Sequence, residues 1–188
     1  MPQWSTTPPL QSAEFSYRLI RAPACRPIAL TLISSKPQGT YTHYTKGRTL
    51  PCDGDGCSAC KEGHPYRWHA YLAARVDGTR EKVILELTAQ AAEQLLPALN
   101  EFKTLRAVAI LLERPARRPN GRIRITIAPG RRPENDLPPE PDIQRMMLHI
   151  WGLDDTSLTS RPGKHHFQHL TKEKKHNGEV PQNPSTLP

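Results

Sequence analysis

Three of the four cysteines lie within nine positions of each other, at Cys52, Cys57 and Cys60. The Cys-x2-Cys half of this motif is the usual way to place two thiolates on one tetrahedral ion. The Asp-Gly-Asp-Gly run at 53–56 supplies a tight backbone that lets Cys52 fold back onto the other two. In a reducing compartment such clustering favours a metal over a disulfide. The spacing therefore predicts one structural zinc site.

Zinc prefers four nitrogen or sulfur ligands, so one position remains to be filled. The candidates are His43, His64, His69 and Cys25. We favour His43, because a strand residue would give the loop a fixed anchor, and we keep His64 as the alternative. Cys25 is far away in sequence and fits a small buried residue better. Four protein ligands would leave no open position for water, which indicates a structural rather than a catalytic ion. Free surface thiols or a disulfide pair are the competing interpretation of the cysteines.

The elements that must position these residues are mostly strands. Strands are predicted at 26–34, 40–45, 66–76, 82–87, 105–113 and 122–128, with a helix at 89–96. Thr88 can cap that helix, and Pro97 should end or kink it. This order predicts a mainly β fold with one or two helices, in an OB-like Greek-key barrel with an inserted zinc loop at 43–64. An α+β sandwich built from the same elements is the alternative.

Composition divides the chain into five parts. With 36% hydrophobic residues and 20 prolines, the core is thin for 188 residues, and the ends are expected to be unpacked. We predict a flexible arm at 1–17, the zinc-containing domain at 18–129, a linker at 130–141, a short amphipathic helix at 142–153 and a disordered tail at 154–188.

The charge of the chain is strongly basic and unevenly placed. The formal charge is +8, with a pI near 9.6. Residues 25–133 hold 18 Lys and Arg against 9 Asp and Glu, a net of +9, whereas residues 134–155 carry a net of −5. A basic surface favours a polyanion such as nucleic acid, although a solvated face explains charge alone equally well. No apolar run approaches the roughly 20 residues that span a membrane, and the N-terminus does not resemble a signal peptide. We expect a cytoplasmic protein, associated with the nucleoid if it is bacterial, with no membrane partner.

The strand predicted at 66–76 alternates between an apolar face and a basic, aromatic face. Proteins that bind single strands combine a basic channel with aromatic rings on which bases stack. The expected nucleic-acid-binding residues are Arg67, Tyr71, Arg75, Arg117, Arg118, Arg122, Arg124 and Tyr44. Trp68 fits the core better than a stacking site, and Tyr71 fits either. Arg122 and Arg124 also fit the solvated side of an amphipathic strand.

The motifs together resemble a known family. A strand histidine followed by Cys52 and by Cys57-Ser58-Ala59-Cys60, inserted into a basic β-rich domain, resembles the zinc-containing single-stranded DNA-binding proteins of T-even-type phages. The resemblance covers the layout of residues 26–128. It implies an OB-fold whose zinc subdomain is held by one histidine and three cysteines. It also implies sequence-tolerant binding of single strands in replication, recombination or repair.

The acidic segment suggests a second kind of partner. Met146, Met147, Ile150 and Trp151 would form the apolar face of the helix at 142–153. That face could pack on the domain or dock a replication or repair protein. The alternative function is therefore a zinc-ribbon adaptor that recruits a replication or transcription complex. An enzyme is the least favoured hypothesis, because the sequence shows no phosphate loop, paired carboxylates or nucleophile elbow.

Overall fold

A computed structural model describes residues 17–45, 47–117 and 121–153. The expected tail at 154–188, Arg118, and all of the expected arm except Tyr17 lie outside these residues. The described chain is mainly β, as the sequence predicts, and its strands form one mixed sheet of eight. The strands are β1 (Arg18–Arg21), β2 (Ile28–Leu32), β3 (Gln38–Thr45), β4 (Arg48–Pro51), β5 (Tyr66–Val76), β6 (Lys82–Thr88), β7 (Val108–Glu113) and β8 (Arg124–Arg131).

The long strand β5 organises the sheet. Its C-terminal part pairs antiparallel with β2, and its N-terminal part pairs antiparallel with β3 along the same edge. Between these two partners Ser34 bridges the break, because its hydroxyl accepts a hydrogen bond from the Ala73 amide at 2.9 Å. β3 then turns back into β4, the strand that leads into the cysteine loop.

The sheet is not closed. Its order is β1-β6-β5-β2-β7-β8, and β3 and β4 extend from β5 beside this path. β1 pairs in parallel with β6 and forms the edge of the sheet on that side. In a closed barrel this edge would pair with another strand. The expected OB-like barrel is therefore not confirmed. The sequence analysis assigned no strand to β1 or β4.

One face of the sheet is covered by α2 (Ala89–Glu93) and α3 (Leu96–Phe102). The Thr88 hydroxyl accepts a hydrogen bond from the Ala91 amide at 3.3 Å, so the predicted cap is confirmed. Pro97 lies in the first turn of α3, where its missing N–H is not needed. The break between the two short helices therefore falls at residues 94–95, just before the turn that contains Pro97. The main apolar core lies beneath them.

The opposite face is covered by α4 (Ile143–Trp151). The Asp142 carboxylate caps this helix by accepting a hydrogen bond from the Arg145 amide at 3.0 Å. Residues of the expected linker are held to the domain by arginines, since Arg106 donates to the Pro138 carbonyl at 2.8 Å. In the described ranges, no helix has the length and apolar character that would let it cross a membrane.

Candidate metal centre

The structure brings His43, Cys52, Cys57 and Cys60 together. One ligand atom from each of the four residues lies within 4.8 Å of all the others. The Cys60 sulfur is 3.5 Å from the Cys52 sulfur and 3.4 Å from His43 Nε2. All three cysteines are free thiols. This cluster is compatible with a metal ion held by one nitrogen and three sulfurs.

The β3–β4 hairpin places two of the four ligands. His43 pairs with Leu50 in the ladder, and two residues further along the chain the Cys52 amide donates to the Tyr41 carbonyl at 2.8 Å. Cys52 therefore follows the last residue of β4 on the side chain face that His43 occupies. The imidazole is fixed by the ladder and is 1% exposed.

A tight knuckle places the other two ligands. A 3-10 turn at Gly54–Gly56 leads into Cys57, which precedes the single-turn helix α1 (Ser58–Lys61). Gly54 and Gly63 both have a positive φ, which glycine adopts without strain. The Gly63 amide then donates to the Cys60 carbonyl at 3.0 Å and closes the knuckle. Both cysteines thus face the end of the β3–β4 hairpin.

The backbone around the knuckle favours a thiolate at Cys57. Hydrogen bonds from the Asp53 and Cys60 backbone, in that order, lower the pKa of the Cys57 thiol to about 7. The hydrogen bond with the Cys52 sulfur raises the pKa of Cys60 to about 11. Several thiolates this close together repel one another, and a cation among them would remove that penalty.

The His43 ring itself fits a metal ligand. Its Nδ1 atom is buried and has no hydrogen-bond partner among the described residues. A buried imidazole without good polar partners is unfavourable. A metal bond at Nε2, which faces the Cys60 sulfur at 3.4 Å, would give the buried ring one strong polar interaction, and Nδ1 would still have no partner among the described residues.

The other candidates for the fourth ligand lie elsewhere. His64 is exposed, and its Nε2 atom is 3.3 Å from the Glu62 carboxylate. His69 is on β5, where its Nδ1 is 2.7 Å from the Thr42 hydroxyl. Cys25 is exposed, and its sulfur donates to the Pro115 carbonyl at 3.3 Å. Within the described chain, the cluster therefore contains the favoured residue, His43, and not the alternative, His64.

The residues expected to bind nucleic acid lie in several parts of the described chain. Arg67 and Tyr44 are exposed near the metal cluster, and Arg117 and Arg122 are exposed around the β7–β8 hairpin. Arg124 is also exposed, but it forms an ion pair with Glu113 at 2.9 Å. Arg75 donates to the Asp136 carbonyl at 2.8 Å.

Tyr71 differs from these residues because it is only 2% exposed. Its ring contacts Trp151 of α4 edge to face, with the ring centroids 5.6 Å apart. The structure thus gives Tyr71 the core role that the sequence analysis kept open, and no base can reach its ring in this arrangement.

The apolar face expected to bind a partner protein mostly packs on the sheet. Met146, Met147 and Trp151 are buried in the second core cluster, with Ile33 and Ile84 among their neighbours. Ile150 is 38% exposed and lines a shallow cleft with residues of β1 and β4. Docking of another protein through the whole apolar face would require α4 to leave the sheet.

The sequence analysis missed two exposed aromatic residues next to the metal cluster. Tyr41 and Tyr66 lie opposite Trp68 and His43 in the β3–β5 ladder. Their signal in the sequence was the alternation of the two strands, which places Tyr41 on the same face of β3 as His43 and Tyr66 on the same face of β5 as Trp68. Only the register between β3 and β5 shows that these two faces are the same face of the sheet.

Comparisons with known proteins do not assign this chain to a family. No protein-family model, curated protein or solved structure matches this chain. Functional inference therefore depends on the metal cluster and on the charged and aromatic surfaces described above.

Proposed function

We propose that this protein binds single-stranded DNA with little sequence preference, and that a structural zinc ion orders its cysteine loop. Such a protein would act in replication, recombination or repair, as the resemblance to the phage proteins implies. The observation that carries the proposal is a set of exposed arginines that form no ion pair with a carboxylate of the described residues, in a chain of charge +8.

Zinc is the ion that the cluster suits best. Zn–S bonds of about 2.3 Å and Zn–N bonds of about 2.0–2.1 Å in a tetrahedron separate two sulfurs by roughly 3.8 Å and a sulfur and nitrogen by roughly 3.6 Å. The distances of 3.5 Å and 3.4 Å to Cys60 are close to these values. With four protein atoms around it, a tetrahedral ion has no open position for substrate. We therefore assign the ion a structural role.

The arginines supply the attraction for a polyanion. Arg67, Arg117 and Arg122 are exposed, and within the described part of the chain their guanidinium groups have no ion pair. Guanidinium groups bind phosphate oxygens in a bidentate manner, and this binding does not depend on base sequence. Neutralisation of phosphates releases counterions, which makes binding weaken steeply with salt.

A salt titration tests the proposal. We would measure binding to fluorescent oligo-dT by anisotropy at several salt concentrations, for the wild type and for Arg67→Gln/Arg117→Gln/Arg122→Gln. For single strands log K falls with log salt with a slope of about −0.7 per neutralised phosphate, so the triple variant should lose about 2 units of slope. Arg18→Gln is the matched control, because Arg18 already pairs with Glu81 at 2.6 Å. The proposal is wrong if the wild type shows no affinity at low salt, or if it binds duplex as tightly as single strand.

A further inference from the structure

An aromatic ladder extends the core face of the sheet beyond the helices that cover it. In the β3–β5 register Tyr41 lies opposite Trp68, and His43 lies opposite Tyr66. Directly paired residues share one face, so four rings follow each other from the core to the metal cluster. Trp68 packs on the main core, whereas Tyr41 is 44% and Tyr66 57% exposed.

The two tyrosines form a defined pair. Their ring centroids are 5.2 Å apart and their planes meet at 80°, an edge-to-face contact. At the inner end of the ladder, the Trp68 indole lies against the β3 backbone, because a Cβ at Gly39 would be 1.9 Å from a ring carbon of Trp68. This close approach requires glycine at position 39.

The metal cluster fixes the outer end of the ladder. The His43 and Tyr66 ring centroids are 6.0 Å apart with an interplanar angle of 67°. His43 also supplies Nε2 to the cluster, so an ion held there would immobilise the ring against which Tyr66 rests. An ion in the cluster would therefore order the Tyr66 ring as well as the cysteine loop.

We infer that Tyr41 and Tyr66 are a stacking site for unpaired bases of a single-stranded nucleic acid. This inference rests on the proposed function and specifies where the bases bind. Every base has a π-face, so stacking on exposed rings is tolerant of sequence. The basic charge of the chain favours a polyanion over other occupants of an exposed aromatic surface. Tyr44, the stacking residue expected from the sequence, is 65% exposed but alternates to the opposite face of β3.

Three alanine variants test the site. Tyr41→Ala and Tyr66→Ala should each weaken oligo-dT binding between about 5-fold and about 150-fold, the range of base–aromatic stacking. Tyr44→Ala is the matched comparison and should bind like the wild type. The salt slope should stay unchanged in all three, since no phosphate contact is removed. Tyr41→Phe and Tyr66→Phe retain the ring and should bind nearly as well as the wild type, which separates stacking from misfolding.

The outcomes distinguish the inference from the proposed function. If the wild type binds with the expected dependence on arginine and salt, but the Tyr41 and Tyr66 variants bind equally well, the stacking site is wrong and the function stands. The same conclusion follows if only Tyr44→Ala weakens binding. If the wild type has no affinity for single strands at low salt, the function and the stacking site are both wrong.

Discussion

The fourth metal ligand can be tested by exchanging two histidines separately. His43→Ala removes a side chain that is 1% exposed and whose Nε2 lies 3.4 Å from the Cys60 sulfur. His64→Ala removes an exposed ring whose Nε2 lies 3.3 Å from the Glu62 carboxylate. Both are histidines close to the same cysteines in sequence. Comparing the two variants therefore tests whether metal binding depends on the cluster seen in the structure or only on closeness to the cysteines in sequence.

The expected magnitudes differ widely. At a free zinc concentration 1,000 times the dissociation constant, binding stabilises the folded state by about 4 kcal/mol. For a domain near 130 residues, this corresponds to roughly 12–16 °C in melting temperature. His43→Ala should lose this stabilisation along with the ion. The exposed His64–Glu62 pair contributes less than about 1 kcal/mol, so His64→Ala should melt within about 3 °C of the wild type.

The assay combines metal analysis with calorimetry. The wild type and His64→Ala should carry one zinc per chain, and a chelator should lower their melting temperature by the stated amount. His43→Ala should carry no zinc after dialysis, and a chelator should leave its melting temperature unchanged. Retention of zinc with full affinity by His43→Ala, or its loss by His64→Ala, would refute the ligand assignment.

Three further predictions concern the fold around the cluster. Trp151→Ala should destabilise the protein by about 3–5 kcal/mol in urea titrations because the ring is buried, whereas Ile150→Ala should cost under about 1 kcal/mol; equal effects would contradict the packing of α4. Gln94→Ala should cost about 1–3 kcal/mol, because the Gln94 side chain accepts from the Ile125 amide of β8 and donates to the Ile123 carbonyl just before β8, both at 3.0 Å; an unchanged urea midpoint would contradict this. Burial lowers the pKa of His69 despite the opposing charge of Glu86, so below pH about 6.5 the unfolded chain binds the proton first. Stability should therefore fall as pH drops below that value, and His69→Gln should flatten the decline; an equally steep decline in the variant would exclude His69 as its cause.

The sequence predicted the elements whose signals are local. The cysteine spacing located the loop of the His/Cys cluster, and Thr88 marked the start of a helix that the structure contains. β1 had no such signal, because its four residues, RLIR, are too few to show the alternating pattern of a strand. It becomes a strand only by pairing with β6, supported by the ion pair between Arg21 and Glu86 at 3.0 Å.

Closure of the sheet could not be predicted for the same reason. Whether a sheet closes depends on which strands meet at its edges, and that is a contact between segments far apart in sequence.

The packing partner of α4 could not be predicted from local sequence either. Its amphipathic pattern predicts a helix correctly, but nothing in residues 142–153 says that the partner of Trp151 is Tyr71. From the sequence alone, Tyr71 on the polar face of β5 is therefore a candidate stacking residue, although in the structure α4 covers its ring.

The two exposed tyrosines of the ladder show how a local and a non-local signal combine. Cysteine spacing could place a metal between β3 and β5, but only the register shows that His43 and Tyr66 are opposite each other.

If the ion fixes His43, its removal should increase the mobility of Tyr66 before the main core is affected, since the core lies beneath α2 and α3. A chelator should then weaken oligo-dT binding at temperatures well below unfolding. In a Tyr66→Ala variant the chelator should have less effect, because the ring that the metal holds is already absent. A chelator that weakens binding equally in both proteins would show that the metal acts through another part of the surface.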